Sequence, residues 1–132
     1  MTPVVRFSQQ AQEDPVALIE RQTEAYNARD LDRFVATYAD SVRIFRMPAA
    51  EPVISGKLQL TEEYRARFQS PQLHADILSR IVLGNKVFDH ERVSGILADP
   101  IEAVAVYEVL EGLIHTVWFY FPGQGSPLPP RG

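Results

Sequence analysis

The chain has 132 residues, 45% of them apolar and 23% charged, which is enough for one domain with a real core. Its net charge is −4, and its Lys and Arg residues form no cluster interleaved with aromatics, which argues against nucleic acid as the main partner. It has no cysteine, so disulfides, thiol chemistry and the softest metal ligands are excluded, and a cytoplasmic setting is expected.

Residues 1–12 read as a loose or lightly docked arm. The opening MTPVVRFSQQAQEDP turns polar too early to supply the apolar stretch of a signal peptide. Asp14-Pro15 is a strong helix start, with Asp as N-cap and Pro at the first helical position. Leu18, Ile19, Gln22, Ala25 and Tyr26 then recur at helical spacing on one stripe. Gln22 is out of place there. It is either a boundary residue or an amide facing a pocket. Asn27 to Asp30 breaks the helix, and a second short one follows with Leu31, Phe34, Val35 and Tyr38 inward. Val42 to Met47 predicts a strand ended by Pro48, and residues 48–56 a loop. A third helix is expected from about Lys57 to Phe68, with Leu60, Tyr64 and Phe68 on one face and Ser70-Pro71 after it.

Next comes the stretch on which the functional reading turns, residues 73–95. Two β-rich runs flank Gly84-Asn85, a dipeptide that supplies positive φ for a two-residue turn. A tight turn sets Leu83 opposite Lys86, Ile81 opposite Phe88 and Arg80 opposite Asp89, a cross-strand pair of opposite charge. One face then carries His74, Asp76, Leu78, Arg80 and Val82, followed by Val87, Asp89, Glu91 and Val93. The other carries Ile77, Ser79, Ile81 and Leu83, followed by Phe88, His90 and Arg92. Arg80 and Lys86 interrupt the only run that approaches a membrane span, so no membrane partner is expected. Residues 102–109 are nearly continuously apolar, as in a strand covered on both faces. Glu111-Gly112 turns the chain into the aromatic strand 113–121. The remainder, residues 123–132, is Pro/Gly-rich and predicted to be disordered or draped.

Helices ahead of an antiparallel meander indicate an α+β fold whose curved sheet wraps the helices and leaves a cone with one open mouth. With these elements in place the sequence resembles the nuclear-transport-factor-2-like superfamily, in its SnoaL-like and ketosteroid-isomerase-like branch. The resemblance is carried by Ala25-Tyr26-Asn27 with Asp30, by Tyr38-Ala39-Asp40, by Gly56 leading to Tyr64, and by Glu111-Gly112 with Ile114. It covers roughly residues 13–122, which are expected to form the domain. It implies a cone-shaped α+β barrel of cystatin-like type, a small-molecule pocket and a homodimer, and it implies the fold far more strongly than any activity. Ketosteroid isomerase needs a carboxylate base, a tyrosine and a protonated aspartic acid. Matched through the motifs, those positions fall on Arg46, Gln22 and near Ala105, so its chemistry is expected to be absent. Two pocket tyrosines of that family match, at Tyr38 and Tyr64.

The resemblance also implies that Asp89, Glu91 and Val93 point into the cone, leaving an apolar outer face for a two-fold partner. Hydrophobic burial alone favours the reverse. With the charged face inside, Arg80 holds Asp89 as structure, and Glu91, opposite Leu78, becomes the candidate acid or base, with His74 able to share its proton. The competing reading is a buried ion-pair network that fixes register and does no chemistry. Arg46 near the mouth, with Gln22 beneath it, either fixes a ligand oxygen or pairs with Glu51 or Asp40 at the surface. Asp89 joins Glu91 and His74 in the candidate catalytic set, and Tyr26, Tyr38, Tyr64, Arg80, Tyr107 and Phe119 complete the expected pocket wall. His74, His90 and His115 lack metal-ligand spacing, and neither a metal nor a cofactor is expected. Two functions follow: a cofactor-independent isomerase, cyclase or hydrolase acting on a small apolar or amphipathic ligand, or a non-catalytic binding or dimerisation module.

Overall fold

The computed structural model describes residues 14–123 and 125–128. The expected arm, residues 1–12, and the tail residues 124 and 129–132 lie outside the described residues. Helix α1 (Pro15–Ala28) opens as its sequence predicts, the Asp14 carboxylate accepting from the Val16 N–H at 2.9 Å. It ends where Arg29 takes a left-handed conformation, φ 53°. Asp30 then caps α2 (Leu31–Val35) by accepting from the Arg33 N–H. Tyr38, expected as the last inward residue of that helix, instead begins strand β1 (Tyr38–Arg46) and is buried all the same. The expected 48–56 loop contains a two-residue strand, β2 (Ile54–Ser55), paired to Ile44 and Arg43. Helix α3 (Lys57–Arg67) follows, then β3 (His74–Leu83), β4 (Lys86–Ser94), β5 (Ile101–Leu110) and β6 (Leu113–Tyr120).

The six strands form one sheet in the order β2-β1-β6-β5-β4-β3. Only β1 and β6 run parallel; every other pair is antiparallel. Leu18, Ile19, Phe34, Leu60 and Tyr64 from the helices close over Ile44, Tyr107, Val109, Ile114 and Val117 of the sheet. Rings of Tyr26, Phe34, Tyr38, Tyr64 and Phe68 meet at tilted or edge geometries, with centroids 4.7–6.3 Å apart.

The central hairpin settles which face is hidden. Val87, Asp89, Glu91 and Val93 are buried against the helices, whereas Ile81 is 66% and Leu83 68% exposed. Gly84 supplies the turn at φ 60°, and the register runs as expected from Leu83–Lys86 to Arg80–Asp89. Beyond it a bulge between Ile77 and Ser79 breaks the alternation, so that Glu91 faces Ile77 and not Leu78. The slip exchanges faces for the start of β3: Ala75 is buried, and His74 and Asp76 are turned out. Asn27 of α1 then pairs with that edge strand as a strand would, its Nδ2 donating to the Ala75 carbonyl at 3.1 Å and its Oδ1 accepting from the Ala75 N–H at 2.8 Å.

The helices do not pack on the other face of the sheet, which is exposed at Ile81 but already buried at Val106 and Phe45. Across it the register lines up Ile81, Phe88, Val106, Trp118 and Phe45, one from each of five strands. Trp118 stacks on Phe45 at 6.4 Å, and the Arg43 guanidinium lies over the Phe45 ring.

Candidate functional site

Between α1, α3 and the concave face of the sheet lies a cavity of about 70 Å³, room for several waters or a small organic molecule. Position on the sheet decides who reaches it. Residues of β1, β4, β5 and β6 that share the inward parity supply Arg46, Glu91, Tyr107 and Phe119. The apolar stripe of α1 supplies Gln22 and Tyr26, and that of α3 supplies Tyr64.

Gln22 is therefore a pocket amide: its Nε2 donates to the Tyr38 hydroxyl at 3.0 Å, and its Oε1 accepts from Thr23 Oγ1 at 3.3 Å. Tyr38 stands behind Gln22 and does not line the cavity. Asp89 and Arg80 do not line it either. Fully buried, Asp89 is gripped by two parallel hydrogen bonds from Arg80, Nε to Oδ1 at 2.6 Å and Nη2 to Oδ2 at 2.9 Å. The third guanidinium nitrogen lies 3.6 Å from Glu20 of α1 and ties the hairpin to the helix. His74, moved to the outer surface by the bulge, pairs with Asp76 at 3.0 Å and does not meet Glu91.

Glu91 is 8% exposed, and among the described residues no group donates a hydrogen bond to it. Every side-chain oxygen or nitrogen sealed from solvent has a partner among the described residues, so the unpartnered Glu91 oxygens open onto the cavity. Burial, reinforced by the negative charge of Asp89, pushes its pKa up from 4.5 to about 8. Burial also raises the hydroxyls of Tyr26, Tyr38, Tyr64 and Tyr107, so all four stay protonated at neutral pH. At pH 7 the wall thus offers a neutral carboxyl and neutral phenols, each able to donate to a ligand oxygen.

Two charged wall residues were not singled out by the sequence. Glu63 and Arg67 of α3 both face the cavity. Their signal was the (i, i+4) acid–base spacing flanking the Leu60/Tyr64/Phe68 stripe, which reads equally as an ordinary solvated helix pair. The guanidinium of Arg67 lies beside the Tyr26 hydroxyl and 5.4 Å from the Tyr64 ring centroid. Phe121 and Leu128, from beyond β6, also contribute to the wall. Among the described residues no group of three or more His, Asp or Glu side chains is placed to hold a metal, and no helix is long and apolar enough to cross a membrane.

Against known proteins, the model of the SnoaL-like domain matches residues 19–117. Among curated proteins none matches. An uncharacterized cystatin-fold protein of Novosphingobium aromaticivorans is similar at 26% identity and TM-score 0.74, over 81% of this chain and 97% of that one. A Kribbella flavida protein named as a candidate ketosteroid isomerase shares 22% identity at TM-score 0.70, over 89% of this chain and 83% of that one. An LEH-like epoxide hydrolase of Mycobacterium tuberculosis shares 20% at TM-score 0.68, over 81% of each chain. What these relatives have in common is the cone.

Proposed function

This chain belongs to the SnoaL-like domain family, and on that premise we propose that its cavity binds a small, largely apolar organic molecule and that Glu91 exchanges a proton with it without a cofactor. The observation that carries the reading is the state of Glu91: buried, open to the cavity, accepting no hydrogen bond among the described residues, and raised to a pKa of about 8. A carboxyl held in this way is the donor at neutral pH, and once it has given up its proton it is the base that takes one back. Tyr26, Tyr64 and Tyr107 add neutral donors around it, and Ile44, Val53 and Val93 exclude water. The structural relatives support proton chemistry only by their variety, since a candidate isomerase and an epoxide hydrolase share this container. With Arg46 at the place the resemblance assigns to the isomerase base, we propose that steroid isomerisation by a β1 carboxylate is not this chain's reaction.

The outer row from Ile81 to Phe45 supports a second proposal, a dimer of two copies of this chain face to face. Lys86 pairs with Glu108 on one flank of that row and His90 with Glu102 on the other, so an identical face meets mixed charge and no single-sign repulsion. The absence of cysteine supports a reducing, cytoplasmic setting.

The test is a panel of small ketones, lactones and epoxides, followed by NMR of a carboxyl-labelled protein and by turnover. We expect the Glu91 carbon to titrate near pH 8, ligand-induced chemical-shift changes to cluster at Glu91 and Tyr107, and Glu91→Gln to cut turnover by roughly 10²-fold or more with binding retained. Ligands that bind there with no turnover by the wild-type protein would leave only the non-catalytic binding module. Chemical-shift changes that avoid Glu91 and Tyr107 would remove the cavity reading itself.

A further inference from the structure

The charged residues of the cavity wall are Arg46, Glu63, Arg67 and Glu91. With Glu91 uncharged at neutral pH, two cations face one anion among the described residues of the wall. Arg46 and Glu63 each have interactions of their own within the protein. Arg67 differs: it lies beside the Tyr26 hydroxyl and the Tyr64 ring, and although the charge of Glu63 acts on it, among the described residues no carboxylate lies within ion-pair distance of it. A guanidinium has five N–H donors in a planar fork, and one hydroxyl and one ring leave most of that fork unmatched. The neighbouring Arg65, on the solvent side of the same helix, pairs with Glu62 at 3.9 Å, as an ordinary surface arginine does. Arg67 is instead half-buried in the wall, where a cation without a carboxylate in direct contact gains from an anion that joins it.

We infer that the occupant of the cavity is a monoanion, a small amphipathic carboxylic acid whose carboxylate is received by Arg67 together with the Tyr26 hydroxyl, its carbon skeleton lying along Ile44, Val53 and Ile96 toward Glu91. The inference rests on the reading of this cavity as the ligand site, and it narrows that reading to a substrate class. Tyr26 matters because it lines the cavity beside Arg67, so the two present a fork and a side donor matched to the two oxygens of a carboxylate. The neutral carboxyl of Glu91 then meets the uncharged part of the ligand. An anion held at Arg67 then meets the charge of Glu63 but no second one from Glu91.

Matched probes separate the two claims: 3-phenylpropionate, 3-phenylpropionamide and 3-phenylpropanol, titrated by calorimetry and NMR into wild-type protein and into Arg67→Gln and Arg67→Lys. We expect the acid to bind the wild type at least about tenfold more tightly than the amide or alcohol, a difference of roughly 1.4 kcal/mol. Arg67→Gln should abolish that preference while leaving amide binding in place, and Arg67→Lys should keep part of it. The wild-type comparison decides even if a variant fails to fold. Amide and acid binding equally, with resonances of Glu91 and Tyr107 perturbed, overturns the anion while the cavity reading stands. Acid preference that survives Arg67→Gln also overturns it. If none of the three probes perturbs any cavity residue, both claims fall.

Discussion

Glu91 costs the fold stability in a way that pH reveals. In the unfolded chain its carboxyl ionises near the ordinary value of 4.5, but in the folded protein near 8. The folded state therefore prefers the protonated form, so the stability linked to this group is fully present below pH 4.5 and lost as pH rises to about 8. Each tenfold change in its acidity on folding is worth about 1.4 kcal/mol, so the loss amounts to several kcal/mol. Glu91→Gln should flatten the stability profile between pH 5 and 8 and be the more stable protein at pH 8, as read by urea denaturation at each pH. Asp89 answers to a different logic, because its carboxylate already has a bidentate partner. Removing that partner with Arg80→Ala leaves a fully buried carboxylate alone, and roughly 3–5 kcal/mol should be lost. Turnover measured on whatever Arg80→Ala still folds should fall in proportion to the folded fraction, since neither residue lines the cavity. The pairing of Arg80 with Asp89 was legible in the Gly84-Asn85 register, whereas the inward side of Glu91 followed only from the family likeness. Arg67 was hidden because a helix face read from one sequence does not distinguish a cavity wall from solvent.

Among the elements, the β3–β4 hairpin shows where local rules stop. Its turn and first pairs follow from a two-residue loop and strict alternation. The bulge before Ser79 has no comparable signature, and one extra residue was enough to carry His74 from the Glu91 face to the solvent. The start of α1 and the span of α3 were legible from caps and breakers, whereas the end of α2 before Tyr38 and the strand β2 were not, because so few residues leave no period to read. The far end of the hairpin depends on Gly95, held at φ 94°. A Cβ there would sit 2.5 Å from backbone atoms of Gln72 and Leu73, and the Ser70 hydroxyl donates to the Gly95 carbonyl at 2.8 Å. Gly95→Ala should cost roughly 1–3 kcal/mol for the backbone conformation alone, with the clash added to it. Thermal unfolding will register the loss, and hydrogen exchange should rise first at Leu73 and Ala75.

For the whole molecule, the layer order could be read from helices preceding strands, but the buried side of the sheet could not, because burial of Ile81 and Phe88 competed with burial of Asp89 and Glu91. Family likeness and not hydrophobicity pointed to the observed side. If the open face meets a second copy, the wild-type protein should sediment as a dimer at micromolar concentration, and Phe88→Lys should give a monomer with unchanged circular dichroism. A monomeric wild type would remove the dimer from the account. The parallel pairing of β1 with β6 adds a constraint in time. Arg43 and Ile44 sit against Thr116 and Val117, so the middle of the sheet joins an early strand to a late one. A nascent chain lacking Leu113–Tyr120 has helices and a hairpin but no floor beneath them. It should stay protease-sensitive on the ribosome until that strand emerges, and then close in a single, comparatively slow step.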